Sequence, residues 1–288
     1  MKQLNFFIEL TRLKKPIGFM LLFWPCAWGL TLAYDFSNNL NEYFFYLFLF
    51  FLGSILMRSA GCIVNDISDK EFDKKVERTK NRPIASNKVS TNLAVFYTII
   101  LCLLAFLVLI NFNNLTIILA LCSMPLAFTY PLMKRFTYWP QLFLGITFNY
   151  GLILGWTSVM GEISVISIIL YLGAIFWTLG YDTIYGFQDI KDDEIIGVKS
   201  TSIKFKKNPK LFLKVCYLIF TITLIMVGIF MEFEYPFFIF SSISIFYIFF
   251  VQLKNLKIKD PVSCLKIFKK NNFLGLIIFI NILIGKIF

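Results

Sequence analysis

Residues 43–83 read YFFYLFLFFLGSILMRSAGCIVNDISDKEFDKKVERTKNRP. Up to Val64 this stretch holds a single charge, Arg58, and it is long enough to cross a bilayer, which takes about 20 apolar residues. Beyond Val64 the chain turns abruptly to charge, with five acids (Asp66, Asp69, Glu71, Asp73, Glu77) and seven basic residues within positions 65–90. An apolar run ending in dense charge is what a membrane helix reaching water requires. The pattern recurs along the chain, with further apolar runs near 16–34, 92–110, 115–132, 141–160, 163–181, 211–231, 237–253 and 273–287. The expected fold class is therefore all-α, a polytopic membrane helical bundle of about nine transmembrane helices.

Composition agrees. The 288 residues are 58% hydrophobic, 18% aromatic and only 16% charged, with mean hydropathy +0.74, against about 45–50% apolar and about 25% charged in soluble domains. A soluble enzyme, a disordered chain and a fibrous repeat are all excluded. The connections between spans are too short for a soluble module, so one membrane domain over 1–288 is expected. The N-terminal segment lacks a small-residue cleavage site, and the first span is expected to be retained.

The basic residues orient the layout. Taking every second connection from the N-terminus, Lys and Arg number four, seven (65–90), two (Lys134, Arg135), six (182–210) and six (254–270), and the intervening connections hold none. By the positive-inside rule the N-terminus and the acidic-motif segments 65–90 and 182–210 are placed on the cytoplasmic side, in what is read as a bacterial inner membrane. The net charge of +11 is explained by this topology, and no nucleic-acid partner is expected. Lys204, Lys206, Lys207 and most basic residues of 254–270 suit attraction to anionic membrane lipid.

There is no histidine, which removes imidazole bases, His-ligated metals and Ser-His triads. The six cysteines lie mostly inside apolar runs without C-x-x-C spacing and read as small core side chains. Chemistry must then come from carboxylates, cations, hydroxyls or a hard metal ion. Ten of the 17 acids fall in two short stretches, 66–77 and 182–194. On continuous helices, Arg58, Cys62, Asn65, Asp69 and Asp73 form one stripe, and Asp182, Tyr185, Asp189 and Asp193 form another. Like charges stacked this way repel, and carboxylates near hydrocarbon need compensation. Oxygen-only donors select a hard ion, and Mg²⁺ commonly takes one or two carboxylates together with substrate phosphate. The metal candidates are Asn65, Asp66, Asp69, Asp73, Asp182, Asp189 and Asp193. Arg58, Arg78, Arg82, Lys134 and Lys199 are the candidates for a diphosphate. Solvated helix ends paired with lysines are the plain alternative. A secondary transporter carrying a divalent cation or an organic anion is the other class of function, and a membrane scaffold is a third.

Five segments then resemble the UbiA superfamily of intramembrane prenyltransferases, in particular its 4-hydroxybenzoate polyprenyltransferases: RLKKPIG (12–18) with WP (24–25), RSAGCIVNDISDKEFD (58–73), RTKNRP (78–83), TYPLMKRFTYWPQ (129–141) and YDTIYGFQDIKDDEIIGVKST (181–201). The resemblance implies nine helices around a central cavity and Mg²⁺ held by the two acidic motifs. It also implies transfer of the prenyl group of polyprenyl diphosphate to the ring of 4-hydroxybenzoate, ortho to the hydroxyl, in ubiquinone biosynthesis. On the matching positions, Asp69, Asp73, Asp189 and Asp193 carry the catalytic role together with Asn65. Arg135 is similar in position to the arginine that holds the acceptor carboxylate, and Tyr185 is placed beside the acceptor. Lys14 departs from the acid usual in the first motif. Homogentisate, a naphthoate or haem are the rival acceptors within the same chemistry.

Overall fold

The computed structural model describes residues 2–77 and 79–288, and among them every regular element is helical. A short helix α1 (Lys2–Thr11) leads into α2 (Ile17–Ala33), α3 (Leu40–Ser68), the single turn α4 (Lys70–Asp73) and α5 (Thr91–Leu109). Next come α6 (Asn114–Thr129), a 3₁₀ turn and α7 (Met133–Phe136), α8 (Pro140–Met160), α9 (Val165–Gly186), α10 (Ile190–Ile196) and α11 (Thr201–Lys204). The last three are α12 (Pro209–Phe230), α13 (Tyr235–Phe246), which continues as a π-helix to Leu253, and α14 (Pro261–Ile287). Among the described residues, eight helical stretches are long and apolar enough to cross a membrane, and α2 is a ninth, shorter apolar helix. Side-chain oxygens accept the amide protons that helix starts leave free: Asn39 for α3, Ser90 for α5, Asn113 for α6, Ser164 for α9 and Asp260 for α14.

The shortest span is the centre of the bundle. From Phe23 to Ala33 every residue of α2 is buried, as expected of a helix apolar on all sides, and it packs against α3, α8, α9 and α14. At about 26 Å it falls short of the roughly 30 Å hydrocarbon layer. Protein rather than lipid surrounds it. Lipid offers no hydrophobic penalty to hold helices together, so close approach at small residues does. A Cβ on Gly29 would lie 2.0 Å from the Leu152 carbonyl oxygen, and one on Gly155 would lie 2.2 Å from that of Cys26. The helices α2 and α8 therefore cross backbone against backbone. Above the crossing, Trp28 packs on Trp177 with ring centroids 5.0 Å apart. The indole N–H groups are satisfied by α14: Trp28 donates to the Gly275 carbonyl at 3.1 Å, and Trp24 and Trp177 donate to Asn272 and Asn271, each at 2.9 Å.

Each of the nine predicted apolar runs is found as a helix in the expected order, eight of them long enough to cross a membrane, but their extents differ. The second runs through Asn65 and Asp66 to Ser68, and the last begins at Pro261, so Lys266, Lys269 and Lys270 lie on a helix rather than in a connecting loop. Neither acidic stripe lies on one continuous helix. The first breaks at Asp69, between α3 and α4, and the second at Phe187–Asp189, between α9 and α10. Charge ends an apolar run without ending a helix, and a helix can end inside a regular charge pattern.

Candidate active site

The first acidic motif is held by cations from three segments. Asp66, 2% exposed, accepts from Arg12 Nη2 at 2.6 Å and from Arg82 Nη1 at 3.2 Å through the same oxygen, Oδ1. Arg82 Nη1 also reaches Asp73 Oδ2 at 2.8 Å. Asp69, 3% exposed, accepts from Lys134 Nζ at 2.5 Å on Oδ2, and its Oδ1 is buried with no partner. Burial pushes the Asp73 carboxyl above the ordinary range; Arg82 pulls it down, and Asp66 and Asp69 add to the upward shift. Burial also opposes the Arg12 charge, but Asp66 and its neighbours outweigh it and hold the guanidinium protonated.

Arg12 is a site residue that helical spacing did not reveal. It adopts φ 54°, a left-handed backbone that is uncommon outside glycine. The turn lets its side chain reach Asp66 from the end of α1 and also donate to the Leu10 carbonyl at 3.0 Å. The helix beneath is fixed by Leu10, which packs with Ala60, Ile63 and Ile84. Asp66→Asn should remove two ion pairs and leave Arg12 and Arg82 short of an acceptor. We expect a stability loss of about 3 kcal/mol, read as a lowered thermal unfolding midpoint in detergent.

The loop 129–141 fastens the two motifs together. Lys134 bonds Asp69 through Nζ, and its carbonyl accepts the Lys199 amide at 2.8 Å. Arg135 donates to the Ser68 carbonyl at 2.5 Å, where a cation suits a helix C-terminus, and lies over the Phe72 ring at 5.4 Å. The Lys199 ammonium donates to the Phe136 carbonyl at 3.2 Å. Behind the second motif, Thr183 and Thr201 pair their hydroxyls at 2.6 Å, Ser202 donates to the Thr183 carbonyl at 2.9 Å, and Gln141 accepts the Thr201 amide at 2.9 Å. These long-range polar ties carry no periodic signal. Only the PQ and KST pieces of the quoted motifs marked them.

The predicted site residues are not all brought together. Asp66, Asp69, Asp73, Arg82 and Lys134 are brought into direct contact, and Asn65 stands one turn before Asp69, whose amide donates to its carbonyl at 2.9 Å. Asp182, Asp189 and Asp193 are half-buried along α9 and α10 at the same end of the bundle. Arg58 sits deeper on α3, over the Phe148 ring at 5.4 Å, with its Nε buried and unpartnered and Asp182 within electrostatic reach. Gly18 leaves it room, since a Cβ there would lie 2.7 Å from Arg58 Nε. Lys199 and Arg135 donate to the carbonyls that end α7 and α3, and Tyr185 packs on Phe268 with the rings tilted and their centroids 4.6 Å apart. Arg78 lies outside the described residues. Among the described residues no three Asp, Glu, Cys or His side chains converge as a ready-made metal cage. A hard ion still fits the donors: all are oxygens, and Asp69 Oδ1 is free to accept one.

Among the described residues, eight long apolar helices, with buried carboxylates and matching cations at one end, define an integral membrane protein with a charged site at one end of its bundle. The chain belongs to the UbiA prenyltransferase family, whose profile matches residues 22–282, and is an aromatic prenyltransferase. It is 40% identical over 283 residues to the mitochondrial 4-hydroxybenzoate polyprenyltransferase of Drosophila pseudoobscura pseudoobscura, covering 97% of this chain and 70% of that protein. It is 36% identical over 288 residues to the 4-hydroxybenzoate octaprenyltransferase of Methylobacillus flagellatus, covering 100% and 95%. A UbiA homologue from Archaeoglobus fulgidus, solved with GPP and Mg²⁺ bound, superposes with a TM-score of 0.69 at 18% identity, covering 96% of this chain and 99% of that one. The all-helical expectation and the superfamily resemblance are thereby borne out.

Proposed function

We propose that this enzyme transfers a polyprenyl group from polyprenyl diphosphate to the carbon ortho to the hydroxyl of 4-hydroxybenzoate, for ubiquinone biosynthesis, and that it requires Mg²⁺. The carrying observation is that Asp69 and Asp73 are buried at the end of an apolar bundle beside Lys134 and Arg82, cations suited to phosphate. The relatives' named acceptor supports the choice of 4-hydroxybenzoate. Asn65, Asp69 and Asp73 would hold the metal from one side and Asp182, Asp189 and Asp193 from the other. Asp66 serves instead as the anchor of Arg12 and Arg82. When bound, Mg²⁺ supplies neutralisation of the charge that gathers on the leaving diphosphate.

The chain's own residues do the rest. Lys134, Arg82 and Arg78 bind the diphosphate, and Arg58 supplies a cation deeper in the bundle. The departing allylic group is a cation while it lives, so it must be kept from water, and the apolar bundle excludes water around it. Tyr130 and Tyr185 lie within electrostatic reach of Arg58, and aromatic ring faces suit a cation. The ring carbon attacks, and the proton it then loses needs only a weak base. Arg135 and Tyr185 stand as candidates for holding the acceptor. We place the charged end of the bundle on the cytoplasmic face of a bacterial inner membrane, following the distribution of basic residues.

Purified protein in liposomes should convert 4-hydroxybenzoate and geranyl diphosphate to the prenylated acid, with turnover lost in EDTA and restored by Mg²⁺. Homogentisate and dihydroxynaphthoate in the same assay test the acceptor. A stronger rate on either would replace 4-hydroxybenzoate in this assignment, and ion flux without product would favour a transporter.

A further inference from the structure

Two of the cations at the site sit on the carboxylates that a metal ion needs. Lys134 Nζ lies 2.5 Å from Asp69 Oδ2, and Arg82 Nη1 lies 2.8 Å from Asp73 Oδ2. The carboxylates are buried, and the cations are only about a quarter exposed, at 26% for Lys134 and 21% for Arg82. We infer that Lys134 and Arg82 are placeholder cations, which neutralise Asp69 and Asp73 until a divalent ion and a prenyl diphosphate arrive and then exchange carboxylate for phosphate. This rests on the diphosphate chemistry proposed above and deepens it by fixing how the two ligands depend on each other.

The argument is one of charge balance. A divalent ion arriving alone must take Asp69 from Lys134 and leave a half-buried ammonium without an anion. A diphosphate arriving alone must take Lys134 from Asp69 and leave a buried carboxylate without a cation. Either half-exchange strands a charge where stranding is expensive. When both arrive, every charge finds an opposite, so each ligand strengthens binding of the other by the same factor.

The geometry provides for the exchange without backbone movement. Asp69 is engaged through Oδ2 alone, and its buried Oδ1 has no partner, which gives a metal a foothold before Lys134 leaves. Lys134 has a flexible stem, and its carbonyl remains tied to the Lys199 amide while the ammonium swings. Arg82 spans Asp66 and Asp73 with one nitrogen, so it keeps an anchor on Asp66 when it releases Asp73. A pair that served stability alone would need neither the unpartnered oxygen nor the shared arginine.

The test is Mn²⁺ binding to the purified protein in detergent, followed by the loss of free-ion signal in electron paramagnetic resonance, with and without geranyl thiodiphosphate. In the wild type the analogue should tighten Mn²⁺ binding. Lys134→Gln should bind Mn²⁺ alone about tenfold more tightly than wild type, and the tightening by the analogue should shrink by a similar factor. Lys134→Arg should restore wild-type behaviour. Lys134→Met, which keeps an unbranched stem while removing the ammonium that lies over the Phe72 ring, takes the place of the amide variant if that does not fold. The exchange is overturned if folded Lys134→Gln or Lys134→Met binds Mn²⁺ alone no more tightly than wild type. The assay contains no acceptor and reads no turnover, so its failure is separable from a failure to prenylate 4-hydroxybenzoate.

Discussion

Asp69→Asn should lower prenyl transfer about a thousandfold or more while the protein remains inserted and folded. The exchange keeps the size of the side chain. The backbone around it has its own bonds, with the Asp69 amide on the Asn65 carbonyl at 2.9 Å and the Asp73 amide on the Asp69 carbonyl at 2.8 Å, so the junction of α3 and α4 does not depend on the carboxylate. What is lost is the charge on a 3% exposed group whose free oxygen is the clearest metal foothold at the site. A neutral amide oxygen is a far poorer partner for a divalent ion, and Lys134 loses its anion at the same time.

The contrast with Asp66 gives this prediction its force. Asp66 is as buried as Asp69 and only three residues away, yet both its ion pairs lead to arginines, Arg12 at the N-terminal turn and Arg82 beyond the first motif. Asp66→Asn should therefore cost mainly stability, and Asp69→Asn mainly rate. Initial rates in liposomes together with thermal unfolding in detergent separate the two. Turnover by Asp69→Asn within tenfold of the parent would falsify its assignment to the metal. Asp189→Asn should behave like Asp69→Asn, since the second motif is tied to the first through the Lys199 amide on Lys134.

How much of this was legible in sequence depends on how local the physics is. Transfer of apolar side chains into lipid is nearly a sum over one helix, so the number and order of spans could be read directly. The span ends could not, because lysines at 266, 269 and 270 ride on α14 as readily as on a loop. The acidic stripes were drawn on continuous helices that the structure does not have: both helices break within the pattern, yet Asp69 and Asp73 remain one hydrogen-bonded turn apart. Lys134 was readable as a cation beside a phosphate but not as the partner of Asp69, since the two are 65 positions apart. Arg12 was hidden more deeply, because its role combines a left-handed backbone with an acceptor 54 positions away. Arg135, expected to hold the acceptor carboxylate, instead closes the end of α3 at Ser68. That placement makes its part in acceptor binding a matter for the acceptor assay.

Gly29→Val and Gly155→Val should each leave little or no folded protein, the largest stability effect we expect in the chain. Cβ atoms essentially never lie within 3.0 Å of another heavy atom, and these two would lie 2.0 and 2.2 Å from carbonyl oxygens of the opposing helix. No rotamer relieves a clash with backbone, so α2 and α8 must part by about 1 Å along their whole crossing. Overpacking a core usually costs about 1–3 kcal/mol when side chains can shift; here they cannot, and the loss should exceed that range against a total stability of about 5–15 kcal/mol. The damage reaches the site, because the first turn of α2 carries Gly18 against Arg58 and the first turn of α8 carries Gln141, which accepts the Thr201 amide. Gly53→Ala is the control, since its Cβ would meet only Val108 at 4.0 Å, and removing a helical glycine there should be neutral or stabilising. Monodisperse yield and unfolding midpoint in detergent are the measurements. A Gly155→Val protein as stable as its parent would mean that α2 and α8 do not meet backbone to backbone, and the convergence of the two acidic motifs would then need another support.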